Sequence, residues 1–438
     1  MRTMIAGAGI GGLSTALSLH AAGLGEVTVL ETAPEIRPLG AGVNLLPNGV
    51  RELAALGVAA ELARVAVPIH ELVYYTRHGE VIWREPRGRA AGHRWPQLAV
   101  HRGRAQMVLL AAVLARLGRA AVRTDARVTD FVELPTGRLR LALASRDGAA
   151  STTDGDALVG ADGIHSAVRR TLFPAEGPPV WQRQVVWRGI ARIPAFADGR
   201  SMVIGGDRTW KVVAYPISPE PGDDGLVETN WAMARALGPD ERADRSTWDR
   251  SVDSGKLLAV LDGWRFADLD VAALVAATPA PFEQPMNDRD PLPRWSFGPV
   301  TLVGDAAHPM CPMGSNGTTQ SVLDARALAH ALATHAGPGE AFLAYEAERR
   351  RRTTLLQQAN RALGPEVVVA LADGATPEPS VQDRSEVASP AELAEISRRY
   401  ATLAGSDTGA ANAASPYAVP GPDDGAGPQP WRHAAATS

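Results

Sequence analysis

A string of glycines near the start of the chain restricts what it can fold into more than any other feature. Gly7-Ala8-Gly9-Ile10-Gly11-Gly12 joins an apolar run at 3–8 to an Ala/Leu-rich stretch at 11–22, and a second apolar run follows at 27–31. Short apolar run, helix-length run and apolar run read as strand, helix and strand, so the chain opens with a βαβ unit and a parallel sheet. Gly7, Gly9 and Gly12 have the spacing G-x-G-x-x-G. The first permits a tight turn, the second lets the backbone approach a pyrophosphate, and the third lets helix and strand pack, with the helix N-terminus facing the phosphates. Gly11 belongs to the same turn. Alone, such a string can be only a turn. Glu31 closes the second strand, where a carboxylate can accept hydrogen bonds from an adenosine ribose and repel a 2′-phosphate. Together these features predict a site for FAD or NAD and not for NADP.

Composition narrows the partners. A chain of 438 residues has room for two or three domains at roughly 150 residues each. The net charge of -4 gives no electrostatic reason to bind nucleic acid or an anionic membrane, so a small molecule is the expected partner. Cys311 is the only cysteine, which excludes an intrachain disulfide and any cysteine-cluster metal site and suits a reducing cytoplasm. No metal is expected. The apolar N-terminus lacks a basic region followed by a cleavage pattern, and no run of about 20 apolar residues suggests a membrane span. The chain is expected to work in the cytoplasm as a monomer or homodimer.

Further along, helices are predicted at 48–64 and 102–118 and a strand at 156–160, so residues 1–170 form the first part of a nucleotide-binding domain. A short excursion near 68–100 is assigned to the second domain. Residues 171–290 are β-rich and concentrate Trp and Tyr in VVWRGIARI, SMVIGG, WKVVAYPI and GLVETNWAM, as an antiparallel sheet with an aromatic-lined face would. The strand VTLVG at 300–304 and helices at 317–334 and 339–362 complete the first domain over 291–362. Residues 363–438 alternate weak helical pieces with Pro/Gly/Ser/Ala-rich stretches, lack the apolar density to fold alone, and read as a partly disordered extension.

Two later stretches carry acidic residues at strand ends. LVGADGIHSAVR holds Asp162 and Gly163, and VTLVGDAAHPMCPMGSNG holds Gly304 and Asp305. Either aspartate could simply cap a helix. Alternatively, Asp305 binds a polyol hydroxyl such as a ribityl chain, while Gly314, Ser315, Asn316 and Gly317 present backbone N–H groups that stabilise negative charge on a reduced flavin.

With these three motifs in order, residues 1–360 closely resemble the single-component FAD-dependent aromatic hydroxylases, the group of 4-hydroxybenzoate and salicylate hydroxylases. Within it the resemblance is strongest to the phenazine-carboxylate branch, through ETAPEIRPLGAGVNLLPNGV, HRGRAQM, MVIGGD followed by WKVVAYPI, and MNDRDPLPRW. The resemblance implies an α/β fold, a Rossmann-type FAD-binding domain with an inserted, largely antiparallel substrate domain. It further implies that Glu31 binds the adenosine ribose, that Arg102 and Gln106 lie near the FAD, and that Asp162 and Gly163 serve both FAD and a transient nicotinamide. Asp305 would bind the ribityl chain, Pro309 and Gly314 would sit at the reactive flavin edge, and Arg37 and Val43 would lie near the ribose-phosphate portion and the isoalloxazine.

The implied reaction uses NADH or NADPH to reduce FAD, and O2 to form a flavin C4a-hydroperoxide that hydroxylates a planar aromatic acid, with or without decarboxylation. The ring is a phenazine carboxylate, a salicylate or another polycyclic natural product. A single dinucleotide motif leaves the nicotinamide no sheet of its own, so it docks transiently. A halogenase is disfavoured because Trp-x-Trp-x-Ile-Pro and an early lysine loop are missing. A purely redox or interaction protein is disfavoured because the tail carries no heptad, charge block or docking helix. Trp187, Arg188, Trp210, Tyr215, Met310 and Pro312 are the substrate-contact candidates, each with core packing or solvation as its alternative. His308 could act as a base or pack beneath the loop, and Cys311 could be reactive or packed.

Overall fold

The computed structural model describes residues 1–238, 240–241, 250–261, 264, 266–373 and 389–419. Among these, five parallel strands form the first sheet, in the order Val300–Leu302, Ala157–Gly160, Arg2–Ala6, Glu26–Leu30, Val122–Arg123. Its central strands are apolar without alternation because helices cover both faces. Met4 pairs with Leu158 and Ile5 with Val29, and helices Ile10–Ala21 and Gly317–Thr334 close the core around Leu13, Leu17 and Leu328. The strand from 300 joins this sheet in parallel beside Ala157–Gly160. The predicted helix at 48–64 is two helices, Pro47–Ala55 and Ala59–Ala63. Gly57, at φ +68°, donates to Ala54 O while Val58 N reaches back to Leu53 O, a glycine-terminated helix end.

The second sheet has eight strands among the described residues, ordered Arg250–Ser251, Phe282–Asp288, Val180–Ile193, Val227–Ala236, Trp210–Pro216, Ser201–Gly206, Glu71–Thr76, Val81–Pro86. All neighbours are antiparallel except Ser201–Gly206 against Glu71–Thr76. The excursion thus contributes two strands, and the chain returns through Gln97–His101, which pairs with Gly42–Leu45 and Ala66–Ile69 in a separate sheet. Side chains alternate between faces with period two. Val73, Tyr75, Val203, Trp231 and Met233 pack beneath helices Ser254–Val260 and Val271–Ala276, while Leu72, Tyr74, Met202, Ile204 and Tyr215, on the other face, pack with Val67, Ile69 and Ala99 and with Val368, Val369 and Leu393.

Residues 389–419 pack onto this body. Helix Pro390–Ala404 opens on a capping box made by Ser389 and Glu392, and Leu393 enters the core beside Val368 and Val369. The last carbonyls of that helix have no partner within it; Gln320 Nε2 donates to Ala404 O at 3.1 Å and Asn48 Nδ2 to Gly405 O at 2.9 Å. Arg51 then binds Ala410 O and Ala413 O. A segment too polar to build its own core is held by donors that the body supplies. The rest of the extension, 374–388 and 420–438, lies outside the described residues.

Candidate functional site

The glycine turn forms one end of a cleft of about 650 Å3 that runs between the two sheets. Gly7 turns the chain at φ +100°, and a Cβ there would lie 2.5 Å from Ala161 O; a Cβ on Gly12 would lie 2.0 Å from Gly7 O. Both positions exclude any side chain. Around Gly9 nothing lies within 4 Å of where a Cβ would be, so its bareness leaves open space in the cleft rather than relieving a clash inside the protein. The helix that starts at Ile10 has no side-chain cap, and its N-terminus opens into this space. Glu31 is clamped at the sheet edge, accepting from Ala8 N and Ala33 N at 2.8 Å each, which leaves further lone pairs for a ligand hydroxyl. Gln106 Nε2 donates to Ala8 O at 2.8 Å. Arg102 lies under the loop at Gly40, where a Cβ would come within 2.7 Å of its Nε.

Two aspartates that looked alike in the sequence behave differently. Asp162 accepts from Ser166 Oγ at 2.5 Å and Ala167 N at 2.7 Å, so its carboxylate caps helix Ala167–Leu172 even though it lines the cleft. Burial pushes its carboxyl up against those hydrogen bonds. Gly163 follows at φ +77°. Asp305 is exposed and lines the cleft.

Below Asp305 lies a buried charged cluster. Asp324 accepts from Gly304 N at 2.9 Å, from Arg349 Nε at 2.8 Å and faces His308 Nε2 at 2.5 Å. Burial would raise the Asp324 carboxyl, but His308 and Arg349 prevail and hold it at about 2. His308 is fully buried against Trp295 and does not line the cleft, so it braces the underside of the loop.

In the 309–317 loop, Met310, Pro312, Ser315, Asn316 and Gly317 line the cleft, whereas Pro309 and Gly314 do not. Gly314 N donates to Glu366 Oε1 at 3.1 Å and Ser315 N to Pro312 O at 3.1 Å, so the run of donors expected over 314–317 is reduced to the helix start after Asn316. Glu366 is itself paired with Lys211. Tyr400 Oη lies 2.6 Å from Asn360 Oδ1 and 2.9 Å from Met313 O, and accepts from Asn316 Nδ2 at 3.2 Å, tying the loop to the C-terminal helix. The Cys311 thiol is pushed up to about 12 by burial and by Asp288, which leaves it an inert packing group at neutral pH.

Of the aromatic and cationic candidates on the second sheet, Arg188 and Tyr215 line the cleft. Trp187 and Trp210 do not: they stack at 5.5 Å on the opposite face, with Trp187 Nε1 donating to Glu283 Oε2 at 2.9 Å. One residue of register separates Trp187 from Arg188, and a strand turns consecutive side chains to opposite faces. Gly12 packs behind the turn, Val43 lines the cleft, and Arg37 is exposed beside Glu35, outside it.

Sequence reasoning missed a second cavity of about 340 Å3 that shares Ser315 with the cleft. Leu72, Tyr74, Met202 and Ile204 floor it, Trp83 and Pro365 flank it, and Ser397 and Tyr400 close it. The alternation in ELVYYT could have announced the Leu72/Tyr74 face; nothing in ISRRY could have announced the far wall.

An extended cleft with an uncapped helix start, free space at Gly9, a clamped carboxylate at Glu31 and a second carboxylate opening at Asp305 fits the phosphate, ribose and polyol parts of FAD. The family model for an FAD binding domain matches residues 1–184 and 276–360, leaving out the middle of the inserted sheet. The chain is 43% identical over 406 residues to phenazine 1,6-dicarboxylic acid hydroxylase PhzS of Lysobacter antibioticus, covering 91% of this chain and 96% of that protein. It is 30% identical to 3-hydroxybenzoate 6-hydroxylase 1 of Aquipseudomonas alcaligenes, covering 82% and 87%. The structure resembles Klebsiella pneumoniae HpxO complexed with FAD and uric acid, with a TM-score of 0.70 at 25% identity over 92% of each chain.

Proposed function

The chain belongs to the FAD-dependent aromatic monooxygenases, and from that premise we propose that it hydroxylates a planar aromatic acid of the phenazine-carboxylate class. The similarity to a phenazine dicarboxylic acid hydroxylase over nearly the whole chain carries this reading. A cavity of ring-binding size beside the cleft supports it.

FAD held in this cleft would supply the redox chemistry that couples NADH or NADPH to O2, with one oxygen atom ending in the aromatic ring and the other in water. The balance is ArH + O2 + NAD(P)H + H+ giving ArOH + H2O + NAD(P)+. If a ring carboxylate is displaced, ArCOO− and a second proton are consumed and CO2 is released. In our reading, Gly7, Gly9, Gly11 and the helix start at Ile10 receive the pyrophosphate, Glu31 the adenosine ribose and Asp305 the ribityl hydroxyls. The helix start at Gly317 would offer N–H donors and a positive dipole end to negative charge on a bound flavin ring. Arg102 places a cation nearby, and the walls at Val43, Met310 and Pro312 exclude water from the reacting edge. Asp162 and Gly163 shape the rim where a nicotinamide docks.

Among the described residues no helix is long and apolar enough to cross a membrane. The supply of reduced nicotinamide and the buried lone thiol suit the cytoplasm, and nothing in the proposed chemistry requires more than a monomer or homodimer. Anaerobic stopped-flow reduction of the FAD-loaded protein by NADH and NADPH, with and without phenazine-1-carboxylate or salicylate, tests the reading. Reduction should accelerate with the phenazine, and oxygen should then yield a product with one added oxygen, with or without loss of CO2. Reduction indifferent to every aromatic, yielding only peroxide, would overturn the substrate class.

A further inference from the structure

Ser315 lines both the cleft and the second cavity. Its backbone is left-handed at φ +55°, directly after Gly314 at φ +64°. Two left-handed residues in a row form a sharp corner, and for a residue with a side chain that conformation is costly, so the surroundings have to hold it. They do so through a single peptide. The Met313 carbonyl lies 2.9 Å from Tyr400 Oη, and the Gly314 N–H donates to Glu366 Oε1 at 3.1 Å, so both polar atoms of the peptide joining Met313 to Gly314 are engaged. Glu366 is buried and paired with Lys211 of strand Trp210–Pro216, whose Nζ also lies 2.9 Å from Met313 Sδ. Tyr400 is fixed in turn by Asn360, Oη to Oδ1 at 2.6 Å, and a Cβ on Gly314 would lie 2.4 Å from its ring. One arm of this clamp is thus anchored on the second sheet and the other on the C-terminal helix. Toward the cavity, Glu366, Tyr400, Gly314 and Ser315 make one wall; toward the cleft, Ser315, Asn316 and Gly317 continue as the surface at the helix start.

We propose that Glu366 is a positioning residue that, together with Tyr400, pre-sets the 313–315 corner on which both the aromatic ring and the flavin rest. This rests on the function proposed above and adds how the ring site and the cofactor site are joined. The alternative state is a rotated Met313–Gly314 peptide. Rotation about the bonds flanking that peptide breaks the contacts to Glu366 and Tyr400 and shifts Ser315, and glycine at 314 leaves both orientations sterically open. While the clamp is intact the set corner dominates, and neither ligand has to restore it. Without the clamp, the first ligand to bind loses part of its affinity to ordering the corner, and the second then binds without that loss. Lys211 neutralises the Glu366 carboxylate, so the clamp adds no net charge beside the flavin.

The test is the FAD dissociation constant, read by flavin fluorescence, with and without saturating phenazine-1-carboxylate. Glu366→Met keeps the bulk and removes both oxygens. It should bind FAD alone roughly fivefold more weakly than the unmodified protein does, and within about twofold of it when the aromatic is present. Glu366→Gln, which still offers Gly314 N a carbonyl oxygen, should recover most of the affinity for FAD alone. Tyr400→Phe, which removes the other arm, should repeat the Glu366→Met pattern and carries the test if that variant does not fold. FAD binding unchanged in Glu366→Met and in Tyr400→Phe, or a deficit that the aromatic does not reduce, overturns the assignment while the function stands. If the unmodified protein binds no aromatic acid by calorimetry, with or without FAD, the function falls and this assignment falls with it.

Discussion

Single atoms separate the roles of the glycines in the first turn. A methyl group at Gly12 would collide with Gly7 O, a backbone atom with no room to retreat, whereas one at Gly9 would meet nothing in the protein. Gly12→Ala should therefore lower the melting temperature of the FAD-free protein, and Gly9→Ala should leave it unchanged while weakening FAD retention, readable by flavin fluorescence on dialysis. A drop in apo stability for Gly9→Ala would contradict the open space seen there. The Asp324 cluster is the other place where one residue matters greatly. Asp324→Asn leaves His308 and Arg349 buried without their carboxylate, and should cost about 3–5 kcal/mol in urea unfolding.

Elements turn these residues toward or away from the cleft. On strand Val180–Ile193, Trp187 faces the helical layer and Arg188 the cleft. Trp187→Ala should destabilise by about 1–3 kcal/mol, less than for a fully buried Trp because Trp187 and its stacking partner Trp210 are only half-buried. Arg188→Ala should cost much less stability and show its effect in the rate of substrate-stimulated flavin reduction. The C-terminal helix acts through Tyr400, whose hydroxyl is bound to Asn360, Met313 and Asn316. Tyr400→Phe should cost about 1–3 kcal/mol and loosen the Met313–Asn316 loop, visible as faster hydrogen exchange there; unchanged exchange would show that the loop is held by Glu366 instead.

Across the whole molecule, the buried cluster couples stability to pH. The Asp324 carboxyl is depressed in the folded state, so its contribution is complete above the unfolded value of about 4 and disappears as pH falls toward about 2. The stability gap between the unmodified protein and Asp324→Asn should stay constant from pH 8 to about 5 and begin to close below about 4. A gap that shrinks with rising pH would show that the cluster is held together by another group. The cluster also joins distant parts of the chain: residues 304 and 308, the helix carrying Asp324 and the helix carrying Arg349 meet there, under the Asp305 end of the cleft.

The linear chain carried the local requirements. Glycine spacing, an acidic residue at a strand end and period-two alternation depend on neighbours within a few residues, so the βαβ start, the cleft at Gly7, Glu31, Asp162 and Asp305, and the inserted antiparallel sheet could be read directly. What depended on packing could not. Asp162 and Asp305 share a sequence context, yet a helix N-terminus claims one carboxylate and leaves the other open. Trp187 and Arg188 are adjacent, and only the choice of which sheet face meets the nucleotide-binding domain decides which one reaches the cleft. Residues 389–419 look too polar to fold because a sequence counts only its own apolar groups; their backbone carbonyls are satisfied by Asn48, Arg51 and Gln320, hundreds of residues earlier or dozens away. The cavity at Tyr74, closed by Ser397 and Tyr400, exists only because those distant segments meet.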